Sequence, residues 1–387
     1  MPVCLALASL SARMLAEAAR ADGLRPVALD VFGDADTRRA AEAWLPIGDS
    51  ARLAIDGHAL LAALRQLRSR GLATGWVAGS GFEGLPELLA EGERILPLIG
   101  NSPEAVARVR RPAEFFGRLN ALGIPYPETG LTPPPSPAGW LRKDAGSCGG
   151  WAVQPLTAAE GQVRSVYYQR MAPGLPMSAL FLADGRRSRL LGINRQMVCR
   201  LGHRPYVFSG CIGPVSAPPA LGRQLAEWLD ALVADFGLRG LNGLDFLLDG
   251  ERPSVLELNP RPPASLALYR GALMRGHLAA SLGGRLPKEK AERTGPQRGF
   301  EVLFAPRSCH VDSNLAAALG RLAWCHDIPF APLRLARGEP LCTVAAEAGS
   351  PAAVRRLLWQ RRQRISSLLE NNNGIFGKSC QDEVECQ

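Results

Sequence analysis

The sequence predicts an α/β protein that changes to α+β in its middle part, and three observations carry that expectation. Strand-like and amphipathic helical segments alternate through residues 1 to about 95, which implies a parallel sheet with helices on its faces. From Trp140 to Asn259 short strands follow one another with one long helix among them. Between the two regimes stands Thr132-Pro133-Pro134-Pro135-Ser136-Pro137, a stiff connection into a separate small unit.

Taken in order, Val3 to Ala8 is an apolar first strand. It is short, has no basic residues ahead of it and passes into Ser11-Ala12-Arg13, which sets it apart from a signal peptide. Ser11 to Ala21 is helical, Pro26 to Val31 a strand, Ala59 to Arg70 a helix stopped at Gly71, and Thr74 to Ala78 a strand. Gly79-Ser80-Gly81-Phe82-Glu83-Gly84 fits GxGxxG, but it follows a late strand and runs into Leu85-Pro86. It therefore reads as a glycine-rich loop at the sheet's carboxyl edge rather than a dinucleotide fingerprint. Glu104 to Leu122 carries a helical pattern up to Gly123, and Ile124 to Thr129 is extended. Strands follow at 140–142, 163–169, 179–183, 190–198 and 206–210, then an amphipathic helix at 220–236. Asn194, Arg195 and Gln196 interrupt the apolar 190–198 run, either satisfied by neighbouring backbone or facing a ligand cleft. A helix is expected around Ser265 to Gly276, strands near 300–304 and 341–344, and a basic helix from Pro351 to Leu369. In the polar end, Asn371 to Ser379 nearly matches a Walker A loop, with Asn372 where the first glycine belongs, and is set aside as chance. The expected domains are 1–98, 99–295 with a small lid at about 138–180, and 296–387.

The stretch from Arg239 to Arg261 reads as a hairpin. Leu244, Phe246 and Leu248 alternate with Asp245, Leu247 and Asp249, Asp249-Gly250 is a turn signal, and Val255 to Asn259 alternates again. With the loop at Asp249 to Pro253, Leu248 faces Ser254, Asp245 faces Glu257, and Asn259 shares the Glu257 face. Carboxylates at about 5 Å repel by roughly 3 kcal/mol at an effective dielectric near 20. A hard cation resolves this, and Mg²⁺ held with a nucleotide is the natural one. A solvated acidic edge hairpin is the other reading, and the spacing alone leaves both open.

Bulk properties narrow the class. A chain of 387 residues, 47% hydrophobic and with no apolar run of membrane-spanning length, indicates a soluble globular protein of two or three domains, expected in the cytoplasm with no membrane partner. The formal charge of +9 is spread without an aromatic-interleaved basic run, so no nucleic acid is expected. Nine cysteines, an odd number without a CxxC pair, point to reduced thiols. Cys309-His310 and Cys325-His326 are adjacent pairs whose side chains point apart on extended chain, so they read as structural rather than as zinc ligands. Only four of the 45 basic residues are lysine, and Lys143 is the first of them. It precedes Gly146-Ser147-Cys148-Gly149-Gly150, small residues whose backbone can approach a polyanion and offer N–H donors. Phosphate binding is the favoured reading, with an ordinary hairpin loop as its rival.

Lysine-plus-glycine loop, hinge, strands and an Asp…Glu-x-Asn hairpin, in that order, resemble the ATP-grasp superfamily of ATP-dependent carboxylate–amine ligases. LRKDAGSCGGWAV at 141–153 and NGLDFLL…LELNPRP at 242–262 carry the resemblance. GSGFEG at 79–84, YQRMAPGLPMS at 168–178, NRQ at 194–196 and YVFSG at 206–210 are similar to its predicted carboligase branch. The resemblance implies an ATP-grasp fold behind an N-terminal Rossmann-like pre-ATP-grasp domain, with ATP and Mg²⁺ as cofactors and an ADP-forming amide synthesis through an acyl phosphate. It implies small-molecule carboxylate and amine substrates, and a homodimer, since the family often dimerises. It further implies that Lys143 contacts the α- and β-phosphates and that Gly146 to Gly150 closes over the transferring phosphate. Gln169, Arg170, Met171 and Ala172 would form the adenine hinge, Asp245, Glu257 and Asn259 would hold Mg²⁺, and Arg261 would stabilise the acyl phosphate. Some relatives occur with tetrahydromethanopterin or methanofuran biosynthesis, which extends a one-carbon role to this chain as an expectation.

Three departures stand against the pattern. The first ATP-contacting lysine is missing near the 104–122 helix, where Arg110, Arg111 and Pro112 stand instead. Pro176 occupies the place of the ribose acid, and Asn242-Gly243 leaves no basic residue before Asp245. They keep two rivals in view, an ATP-grasp kinase or carboxylase without amide formation and a degenerate nucleotide-binding regulatory protein.

Overall fold

The chain is seen in a computed structural model that describes residues 3–157, 165–287 and 295–372. Alternation in the first 95 residues becomes a four-stranded parallel sheet, ordered Ala43–Pro46, Arg25–Asp30, Cys4–Ala8, Gly75–Ala78. Leu5 and Leu7 pack under helix Arg13–Ala21, while Ala6 and Ala8 face Gly57–Ser69 and Pro86–Ile95. Both faces of the first strand are thus covered, which is why it reads as continuously apolar. This is the expected Rossmann-like first domain.

The expected single helix over 104–122 is two, Pro103–Val109 and Pro112–Ala121. Pro112 has no N–H to give and its ring drives Arg111 out of the helical region, to φ −96° and ψ 106°. Arg110 ends the first helix. A four-stranded antiparallel lid follows, ordered Thr129–Gly130, Val166–Arg170, Trp140–Asp144, Gln154–Pro155. Residues 163 and 164 of the strand expected there lie outside the described residues.

The main sheet has eight antiparallel strands, in the order Arg252–Asn259, Arg239–Asp249, Leu175–Asp184, Ser188–Leu201, Arg204–Gly213, Gln297–Phe304, Pro340–Ala348, Cys325–His326. Helix Pro219–Phe236 buries Leu225, Leu229 and Leu232 against Leu244, Phe246, Val255 and Leu258 of the hairpin. It stops at Gly237, whose φ of 68° suits glycine. The stretch from 296 adds strands to this sheet rather than beginning another, because Gln297–Phe304 pairs with Arg204–Gly213. Helix Pro351–Asn372 packs Val354, Leu358 and Ile365 onto that extension.

After Pro263 the expected helix at 265–276 is replaced by a 3-10 turn at Ala264–Leu268 and a helix at Leu273–Gly283. Gly271, at φ 104°, separates them. Among the described residues no helix is long and apolar enough to cross a membrane. The Walker-like match lies outside the described residues from 373 onward.

Candidate active site

Asp245 pairs with Glu257 across the hairpin ladder, and Gly243 pairs with Asn259. Leu244 and Phe246 point into the core, so strand alternation turns Asp245 to the other face. Asn259 Nδ2 donates to Asp245 Oδ2 at 3.1 Å, which draws the three expected metal ligands together. Burial, together with the like charge of Glu257, pushes the Asp245 carboxyl up to about 7, while a hydrogen bond from Gln196 works in the opposite direction.

Lys143 reaches the same place from the lid. It is buried, and its Nζ donates to Gln169 Oε1 at 2.8 Å. Burial lowers its proton affinity, Glu257 and Asp245 raise it, and Arg110 lowers it. The cation that meets Glu257 directly is Arg110, whose Nη1 lies 3.4 Å from Glu257 Oε2. Its other nitrogens hold the glycine loop, Nε donating to Ala145 O at 2.7 Å and Nη2 to Ser147 O at 2.6 Å. Arg111 instead pairs with Glu114 at 2.5 Å in an exposed position. Where a lysine was expected, the neighbouring Arg110 faces the carboxylates and Arg111 does not.

The loop is seated on the main sheet. Phe208 N donates to Gly149 O at 2.9 Å, and Asp144 Oδ1 accepts from Gly146 N at 2.8 Å to start the turn. A Cβ on Gly150 would lie 1.9 Å from Tyr206 O, at a φ of 72°, so only glycine fits. A Gly150→Ala variant is expected to lift the loop off this seat. A displacement of about 1 Å costs roughly 10²-fold in turnover, read by steady-state kinetics with the protein's melting point unchanged.

Arg261 lies beside the expected metal ligands, with Nε 2.6 Å from Glu83 Oε1 and Nη2 3.3 Å from Asn259 Oδ1. Glu83 comes from the 79–84 loop, 178 residues away in sequence, and its second oxygen accepts from Gly81 N at 2.7 Å. Burial raises the Glu83 carboxyl, but Arg261 and Arg110 outweigh it and the net shift is downward. The two glycine loops meet, since a Cβ on Gly84 would lie 3.0 Å from Gly146 Cα. Cys148 sits among these charges as a neutral thiol, pushed up to about 12 by burial first and Glu83 next.

Of the expected hinge, Gln169 bridges Lys143 and Thr129, with its Nε2 donating to Thr129 Oγ1 at 3.0 Å. Its side chain therefore positions the lysine. Arg170 N donates to Glu128 O and Met171 N to Gly139 O, both at 2.8 Å, so the lid uses those amides itself. Met171 is half exposed, and Ala172 follows it at the end of the lid strand. Asn194 is buried and takes the Tyr269 hydroxyl at 2.8 Å, as a satisfied core group. Gln196, two residues on, instead reaches Asp245. Sequence reasoning left out Glu83 and Arg110 as site residues. The available signals were an acid inside a glycine-rich loop and an arginine immediately before the helix-breaking Arg111-Pro112 pair.

Residues 113–265 match the ATP-grasp domain family. An uncharacterized protein of Methanocaldococcus jannaschii is 19% identical over 267 residues, covering 65% of this chain and 64% of that protein, less than two thirds of its length. Among solved structures, an L-amino acid ligase from Bacillus licheniformis matches with a TM-score of 0.65 at 14% identity, over 93% of this chain and 97% of that one. Biotin carboxylase from Campylobacter jejuni, solved as a β,γ-ATP complex, matches with a TM-score of 0.69 at 12% identity over 96% of each chain. At these identities the structural likeness is one of fold.

Proposed function

We propose, from the match of residues 113–265 to the ATP-grasp domain family and from the site's geometry, that the chain is an ATP-dependent carboxylate–amine ligase. It would join a carboxylate to an amine through an acyl phosphate and release ADP and phosphate. The observation that carries this reading is the meeting of Arg110, Lys143, Asp245 and Glu257 at one place, with the Arg261–Glu83 pair beside them. Such a set suits a polyphosphate with a reacting anion next to it.

Mg²⁺ would be held by Asp245, Glu257 and Asn259. The set fits the ion: all three offer hard oxygen donors, and the like charge at Asp245 is what a divalent cation relieves. Bound there, it would supply charge neutralisation at the β- and γ-phosphates. Lys143 is a buried point charge for the α- and β-phosphates, held by Gln169. Backbone amides from Gly146 to Gly150 would cover the γ-phosphate, on a loop that Arg110 clamps by two carbonyls. Arg261, fixed by Glu83, would neutralise the oxyanion as the substrate carboxylate attacks and again as the amine adds to the acyl carbonyl. Met171 offers the exposed side chain against which the base would lie. No protein nucleophile is required, so the rate gain comes from positioning and charge.

A Lys143→Met variant is expected to raise the KM for ATP by roughly 10- to 100-fold, the range one or two charge-assisted hydrogen bonds supply. The proposal as a whole is tested by product mass in reactions with MgATP and paired carboxylate and amine pools. A ligase yields ADP and a product equal to the two substrates less water. ADP formation that instead accompanies a phosphorylated or carboxylated single substrate would sink the amide reading.

A further inference from the structure

Between the carboxyl edge of the first-domain sheet and the glycine loop lies a cavity of about 170 Å³. Ser9 and Ser80 line it from the sheet side, Met14 from the first helix, Cys148, Gly149 and Trp151 from the loop, Phe208 from the main sheet, and Arg261 from the hairpin end. It therefore touches both the loop proposed for the γ-phosphate and the arginine proposed for the acyl group, and an acceptor substrate has to reach both.

The lining states what that substrate carries. Among the described residues Arg261 is its single charged side chain, and none of them lines the cavity with an acid. Arg261 spends Nε on Glu83 at 2.6 Å, while among the described residues Nη1 and Nη2 make only long contacts to neutral oxygens, 3.4 Å to Pro262 O and 3.3 Å to Asn259 Oδ1. Donor capacity thus remains for one anionic head. The Ser9 and Ser80 hydroxyls lie 3.1 Å apart, and Ser9 Oγ also accepts from Ser80 N at 3.1 Å, so these serines are largely committed to each other. A second carboxylate or an ammonium on the substrate would be buried without an opposite charge, which is strongly unfavourable. Size sets the other limit. An apolar cavity of about 150 Å³ takes a benzene-sized guest, and Met14, Trp151 and Phe208 make much of this wall apolar.

Resting on the ligase reading above, we infer that the acceptor is a monocarboxylic acid with an apolar body of about one ring and no second charge, its carboxylate on Arg261. One carboxylate oxygen attacks the γ-phosphorus, the bond from that phosphorus to the β–γ bridging oxygen breaks, and ADP leaves. The amine nitrogen then attacks the acyl carbon, the C–O bond breaks with its electron pair to phosphate, and the nitrogen loses a proton to solvent.

Hydroxylamine serves as the amine probe, because it converts any acyl phosphate to a hydroxamate that is measured with ferric iron. The full chain with MgATP and hydroxylamine is given phenylacetate or 3-methylbutanoate, and separately succinate, glutamate or folate. Carboxylate binding is followed in parallel by tryptophan fluorescence in the presence of the β,γ-imido analogue of ATP. The expected result is hydroxamate and ADP at least about 10-fold above the carboxylate-free rate with the two apolar acids, and none above that rate with the charged or multi-ring ones. Apolar acids that bind without yielding hydroxamate would support the cavity assignment and count against the ligase chemistry. Hydroxamate from glutamate, succinate or folate but not from the apolar acids would keep the ligase and overturn the inference, as would absence of binding by both apolar acids. A Met14→Ala variant deepens the wall, and is expected to shift the preference for 4-phenylbutanoate over phenylacetate by roughly 10-fold or more. An unchanged ratio in a variant that still binds nucleotide would overturn it too.

Discussion

A Glu257→Gln variant is expected to lose about 10³-fold or more of its ATP turnover while remaining folded. Glu257 faces Asp245 in the ladder, pairs with Arg110 at 3.4 Å and acts on Lys143 through its charge. One neutral amide in its place would weaken the proposed metal site and unbalance both cations. The same change removes the like charge that helps push Asp245 up. Two carboxylates about 5 Å apart repel by up to about 3 kcal/mol at an effective dielectric near 20, and the loss of the Arg110 partner offsets part of that relief. The metal-free melting midpoint is therefore expected not to fall, whereas the stabilisation that MgATP gives the native protein disappears. Calorimetry with and without MgATP, beside an ADP assay, checks both halves. Native turnover in this variant would show that the hairpin is an acidic edge and not a metal site.

Arg261→Gln is expected to lower turnover by about 10² to 10³-fold, the range found when one preorganised oxyanion donor is removed. ATP affinity is expected to stay within about threefold, because the proposed nucleotide contacts, Lys143 and the glycine loop, are separate from Arg261. Stability falls as well: Glu83 is 2% exposed in its side chain and Arg261 is its nearest cation. Breaking a buried pair from one side costs about 3–5 kcal/mol. The double variant Glu83→Gln with Arg261→Gln removes the stranded charge and is expected to recover most of the melting point without recovering turnover. Recovery of both would reduce the arginine to a structural brace.

The hairpin shows how far the sequence could be read. Asp245 opposite Glu257 followed from a loop at Asp249 to Pro253 with Leu248 facing Ser254. The chain instead makes a two-residue turn at Gly250-Glu251, with Gly250 at φ 59°, and pairs Leu248 with Pro253. A bulge then adds Leu256 between the partners of Asp245 and Phe246 and moves the register back by one. The two departures cancel at the carboxylates, so alternation found the right pair through the wrong turn. Bulges depend on how a strand bends over its neighbours, and local pattern carries little of that.

Elsewhere the missing information was long-range. The 79–84 loop was legible as a loop at the sheet's carboxyl edge, but not as the source of a carboxylate for Arg261 across 178 residues. Arg110 was visible beside the vacant lysine position. Its three-way grip on Ala145, Ser147 and Glu257 depends on where Pro112 breaks the helix and on how the lid lies over it. The strands after 296 carried a strand pattern but nothing to say that they would join the main sheet.

Transfer of oxygen from the carboxylate to phosphate tests the central claim most directly. With the acceptor acid labelled by ¹⁸O in both carboxyl oxygens, and with MgATP and an amine, an acyl phosphate leaves one labelled oxygen in each inorganic phosphate and one in the amide. ³¹P NMR separates labelled from unlabelled phosphate. The account predicts one ¹⁸O in each phosphate released, in step with ADP. Phosphate that forms with ADP and product yet carries no label would contradict it.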